Sequence, residues 1–88
     1  MKRALDDAEH VIRRMQTLLD RPVELAGEAH ALKGSSGLLG LNAIKALAAE
    51  IETTARSGGD AADLIDRLPP ALMTTRAELA AYSESSSS

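Results

Sequence analysis

A histidine followed at the third position by lysine and at the fourth by glycine is the chain's most reactive combination: His30, Lys33 and Gly34 in the run Glu28-Ala29-His30-Ala31-Leu32-Lys33-Gly34-Ser35-Ser36-Gly37-Leu38-Leu39-Gly40. Neutral imidazole is a nucleophile near physiological pH, and a cation one helical turn away suits an anion brought to the ring. Leu25, Ala29, Leu32, Ser36 and Leu39 fall on one helical stripe, while Ala26, His30, Lys33, Gly34 and Gly37 lie on the other side. Each helical glycine costs about 1 kcal/mol relative to alanine, a noticeable fraction of a domain's ~5–15 kcal/mol. Small residues either admit a packed helix or leave bare backbone where a second protein brings its own active site against His30. Lys33 favours the second reading, because a cation is poorly placed in a dry helix contact.

The run His30-x-x-Lys33-Gly34-Ser35-Ser36-x-x-x-Gly40, continued through Leu47, Ile51-Glu52 and Arg56 to Gly58-Gly59, resembles the signature of histidine-containing phosphotransfer (HPt) domains, the phosphate shuttles of multistep two-component signalling. The likeness is close over residues 25–60 and follows in pattern elsewhere. It implies a phosphorelay carrier in which His30 accepts a phosphoryl group from a phosphoaspartate receiver domain and passes it reversibly to another. Glu52 stands where similar domains carry Glu or Gln, which implies that it orients the imidazole; Glu50 is the second choice, on charge alone. Lys33 and Arg56 are implied to lie near the phosphoryl group and offset its charge. Ser35 and Ser36 resemble the small polar pair of these domains and are assigned packing or weak polar roles.

The resemblance also implies that the domain is not an enzyme. The catalytic Asp and Mg²⁺ would come from the partner receiver, leaving the chain with no cofactor or metal of its own. No Gly-rich nucleotide loop occurs, and the few acids near His30 do not form a metal-binding set. The implied partners are response-regulator receiver domains and a hybrid sensor histidine kinase. Docking is expected on the small-residue face around Ala26, Gly27, Gly34 and Gly37, bordered by Val11, Arg14 and Met15, with Val11 and Met15 equally able to serve the core. Two alternatives stand beside this reading: the phosphorylatable domain of a chemotaxis-type histidine kinase, which usually has a fifth helix, and a helical receiver-binding module without phosphate chemistry.

Composition narrows the remaining classes. The 88 residues suffice for one small domain, and its apolar content is mainly Ala and Leu, with one Tyr and no Phe or Trp. Such a core suits closely spaced helices rather than a sheet. The absence of cysteine excludes disulfides, thiolate metal sites and a cysteine nucleophile. A net charge of −3 with no basic stripe gives nucleic acid no purchase. No apolar run approaches a membrane span, and Met1-Lys2-Arg3 leads into acidic, amphipathic sequence, so a cytoplasmic monomer without membrane contact of its own is expected.

The elements that must position His30 follow from periodicity and punctuation. Leu5, Ala8, Ile12, Met15 and Leu19, supported by Val11 and Leu18, predict an amphipathic helix over residues 4–19. Pro22 opens a second helix to about residue 39, and Gly40 stops it. Asn42 or its predecessor caps a third, carrying Ile44, Leu47, Ala48, Ile51 and Ala55 to Arg56-Ser57-Gly58-Gly59. Asp60 is a cap for the last helix, in which Ile65, Leu68, Leu72, Thr75, Leu79 and Tyr82 hold one phase across Pro69-Pro70, so a helix over 60–82, kinked or broken at the prolines, is expected. The fold class is all-α, an antiparallel up-and-down four-helix bundle over residues 1–82, followed by a disordered Ser-rich tail at 83–88. His10 is read as a solvated helix residue, and Met15 and Met73 as core filler.

Overall fold

Proline and glycine set the helix boundaries, and apolar phase decides which faces meet. The computed structural model describes the backbone of residues 2–87 and the side-chain surroundings of residues 6–81. Its segments are α1 (Lys2–Gln16), α2 (Pro22–Leu39), α3 (Asn42–Arg56), α4 (Ala62–Asp66) and α5 (Leu68–Ser87). No strand occurs among the described residues. With α4 and α5 together filling the fourth position, the architecture is an all-α antiparallel four-helix bundle.

Pro22 occupies the first turn of α2, where its missing N–H is no loss. At the other end Gly40 takes a left-handed conformation, φ 73°, and Leu41 N–H reaches back to Ser36 O at 2.9 Å. Gly58, φ 78°, closes α3 in the same way, with Gly59 N–H on Thr54 O at 2.9 Å. Both are positions where a Cβ would be strained. Asp60 Oδ1 accepts the N–H of Ala62, so it caps α4 from one residue further out than a standard N-cap.

The prolines divide the last helix as expected. Neither Pro69 nor Pro70 can donate to the turn before it, so α4 ends at Asp66 in a tightened turn, Arg67 N–H to Leu64 O at 3.1 Å. The prolines then sit in the first turn of α5, and regular bonding resumes with Ala71 N–H on Arg67 O at 3.2 Å.

The core is aliphatic. Ile12 and Met15 from α1, Leu25, Ala29 and Leu32 from α2, Ile44, Ala48 and Ile51 from α3, Ile65 from α4, and Leu68 and Leu72 from α5 are all buried. The most extensive contact is between α2 and α3, where Ala26, Ala29, Ala48 and Ala55 are buried and their small side chains allow close backbones. Exposed ion pairs hold the outer helices: Arg14 to Glu28 at 3.1 Å between α1 and α2, and Arg76 to Glu9 at 3.0 Å between α5 and α1.

Three expectations need correction. The helix expected to reach residue 19 stops at Gln16, because Thr17 and Leu18 turn back onto Arg14 O and Met15 O in 3.0 Å bonds that tighten the end. Leu19 therefore lies 49% exposed instead of in the stripe. Leu39 is also exposed, since α2 ends there and Leu41, beyond the glycine turn, takes the core position. Met73 is 71% exposed rather than core filler, one residue out of phase with buried Leu72. The described backbone of α5 runs as helix to Ser87.

The contrast between two apolar side chains tests this packing. Ile44→Ala should cost about 3 kcal/mol, whereas Met73→Ala should stay within about 0.5 kcal/mol in urea unfolding.

Candidate functional site

Two helices supply the site, and their close packing makes it possible. On α2, His30 and Lys33 are separated by one turn; on α3, Glu52 and Arg56 are likewise one turn apart. Glu52 sits beside buried Ile51 and is itself only 7% exposed. A buried carboxylate has to be paired, and here it is paired three times. His30 Nδ1 lies 3.0 Å from Oε2, Arg56 Nη2 donates to the same oxygen at 2.7 Å, and Lys33 Nζ lies 2.9 Å from Oε1.

The electrostatics assign the proton. The Lys33 hydrogen bond first, then its charge, the His30 hydrogen bond and the Arg56 charge hold the Glu52 carboxyl below the usual glutamate range, against the opposing effect of burial. An ionised carboxylate can only accept hydrogen bonds, so the ring proton facing it belongs to Nδ1. In the neutral ring Nε2 then carries the lone pair. The His30 side chain is 65% exposed, which leaves this second nitrogen available to an incoming group.

Glu50, the second choice as orienting acid, is exposed. It is two residues from Glu52, about 200° around the helix, and so cannot share its face. Ser35 Oγ bonds Leu32 O at 3.3 Å within α2, and Ser36 is buried with no partner for its hydroxyl.

Around His30, Gly27 and Gly34 face open space: a Cβ at either would meet nothing within 4 Å. They are therefore not spacers for an internal helix contact. A Cβ at Gly37 would lie 3.6 Å from the Lys45 side chain, an ordinary contact. Ala26, expected on the docking face, is instead buried, because it lies on the α3 side of His30. Met15 is wholly buried and Val11 packs on the core, so of the expected α1 border only Arg14 is exposed, paired with Glu28. Sequence reasoning passed over Glu28 and the 85% exposed Val23. Val23 stands two helical turns before His30, a spacing that could have singled it out.

A surface imidazole oriented by a buried carboxylate on a helical bundle is the arrangement of a histidine phosphocarrier. The family model described as Hpt domain matches residues 1–84, and the chain belongs to that family. It is accordingly a phosphotransfer carrier of phosphorelays rather than a catalyst, and its partners are receiver domains. No curated protein and no solved structure matches the chain.

The Glu52 cluster makes a pH prediction. A carboxyl whose pKa is depressed by folding binds its proton more weakly folded than unfolded. Its stabilisation is therefore present above the unfolded value of about 4.3 and lost as pH falls through the lower folded value. Glu52→Gln should flatten the acid limb of the stability curve, measured by urea unfolding between pH 7 and 3, while also lowering stability at pH 7 by unpairing two cations.

Proposed function

We propose that His30 Nε2 is the covalent carrier in reversible transfer between two receiver aspartates. The observation that carries this reading is the Nδ1 contact with an ionised Glu52, which leaves Nε2 as the nucleophile. In the forward step the Nε2 lone pair attacks the phosphorus of a receiver acyl phosphate. The N–P bond forms as the P–O bond to the aspartate breaks, and the carboxylate departs on the receiver. The ring, now substituted on Nε2 and still protonated on Nδ1, carries a positive charge that Glu52 faces directly. The second transfer reverses these events on another receiver.

Lys33 and Arg56 assist by charge. Both are held on Glu52 before transfer, at 2.9 and 2.7 Å, with side chains 35% and 65% exposed. Their flexible stems let them turn toward a dianionic phosphoryl group on Nε2 and share its charge with the Glu52 pairing. The receiver would contribute the acceptor aspartate and its Mg²⁺.

Docking takes place over the open backbone of Gly27 and Gly34, with Gly37 and Arg14 at the margins and the buried Ala26 and half-buried Val11 beneath. The donor is the receiver of a hybrid sensor histidine kinase, the domain acts as a monomer, and transfer takes place in the cytoplasm. Among the described residues no helix is long and apolar enough to cross a membrane.

Incubation with a phosphorylated receiver should place acid-labile, alkali-stable label on the wild type and none on His30→Gln. Label retained by the variant, or absent from the wild type with several receivers, would contradict the carrier role. Gly34→Gln should keep or raise thermal stability, since no neighbour is crowded and a helical glycine is removed, yet slow transfer at least tenfold.

A further inference from the structure

A groove of about 480 Å³ opens beside the histidine, lined by Pro22, Val23, Gly27, Ala55, Arg56 and Gly58. Its floor is closed by buried Ala26 and Ala55, and its open rim carries Val23, an apolar side chain left 85% exposed. Gly27 leaves the groove unfilled, because a Cβ there would meet nothing within 4 Å. At one end stands Arg56, whose guanidinium is bonded to the carboxylate that holds His30. Arg56 is thus shared between the groove and the cluster that holds His30.

Position determines what covers it. Val23 precedes His30 by seven residues, which places it about 10.5 Å along the axis and within about 20° around it. A partner surface of standard size covers about 800 Å² on each side, a disc of roughly 16 Å radius. A receiver centred on His30 therefore lies over Val23. Leu38, the other highly exposed apolar residue of α2 at 91%, lies eight residues after His30 and about 80° round, toward the edge of such a footprint.

We propose that this groove is an apolar anchor point for the receiver domain, with Val23 packing against an apolar side chain that enters the groove over Gly27 while the receiver's acidic pocket meets His30. The proposal rests on the phosphocarrier reading and adds a residue pair that sets affinity for the receiver apart from the chemistry of transfer. Binding anchors of this kind are apolar side chains seated in a pocket near the centre of an interface, surrounded by contacts that exclude water. The charge of Arg56 at one end of the groove then fixes orientation rather than strength.

Two variants that change the groove in opposite directions test it. Val23→Ser removes the apolar rim without adding charge, and Gly27→Leu fills the groove while keeping helical backbone. Each is compared with wild type in transfer from a phosphorylated receiver over a range of receiver concentrations, with Met73→Ser, in the distant α1–α5 groove, as control. Chemical labelling of His30 by phosphoramidate, in which the ring nitrogen takes the phosphoryl group as the P–N bond breaks and ammonia leaves to solvent, needs no receiver and so reports the ring alone.

Val23→Ser should raise the half-saturating receiver concentration at least fivefold with the maximal rate within twofold, Gly27→Leu should raise it at least as far, and both should be labelled by phosphoramidate at the wild-type rate. The control should match wild type throughout. Unchanged half-saturation in both variants would overturn the proposal while leaving the carrier role intact. Equal slowing of phosphoramidate labelling would overturn it differently, by showing that Val23 and Gly27 act on the ring. A concentration-dependent dimer in sedimentation that either variant abolishes would assign the groove to a second copy of the chain. No transfer to wild type from several receivers would remove the carrier reading and this proposal with it.

Discussion

The site depends on one buried carboxylate. Glu52 is placed by α3 at the edge of the core, and its charge is tolerated there only because three donors converge on it from two helices. The same pairing that stabilises the carboxylate sets the protonation of the ring, since an acceptor at Nδ1 puts the proton on that nitrogen. It also stations two cations within a side chain's reach of the ring. Positioning, tautomer and charge are therefore one arrangement, and loss of the carboxylate would disturb all three together.

The rest of the bundle serves to hold α2 and α3 at the spacing this arrangement needs. Alanines on the facing surfaces bring the two backbones close enough for His30 and Glu52 to meet at 3.0 Å. Glycine turns at residues 40 and 58 end α2 and α3, fixing where each helix stops relative to the other. α1, α4 and α5 cover the opposite side with Ile12, Met15, Ile65, Leu68 and Leu72, leaving the His30 face of α2 uncovered. What that uncovered face offers is bare backbone at Gly27 and Gly34 and one apolar rim at Val23.

Much of the fold could be read in the chain because its signals are local. Pro22, Gly40, Gly58 and the Pro69-Pro70 pair act on their own backbone and end or open helices wherever they occur. The misplacements at Leu19, Leu39 and Met73 share a cause: an apolar stripe gives the phase of a helix but not where its neighbours end, so residues at the last turn or one step off the stripe are assigned a core that does not reach them. Ala26 lies buried beneath the expected docking face, since a wheel drawn on α2 alone cannot show α3 closing over one side of His30. For the site, the motif located His30 and Lys33, and family likeness chose Glu52 over Glu50. The threefold pairing on Glu52 was not legible, because it depends on side chains from two helices meeting across a contact that only the folded chain makes.

The central claim, that Glu52 fixes the imidazole so that Nε2 is the free nucleophile, is tested most directly by long-range ¹H–¹⁵N NMR correlation of His30 in the unphosphorylated domain at neutral pH. The account requires a ring protonated on Nδ1 with an unprotonated Nε2, and a shift toward a tautomer mixture in Glu52→Ala. A wild-type ring protonated mainly on Nε2, or one whose tautomer is the same without the carboxylate, would contradict it.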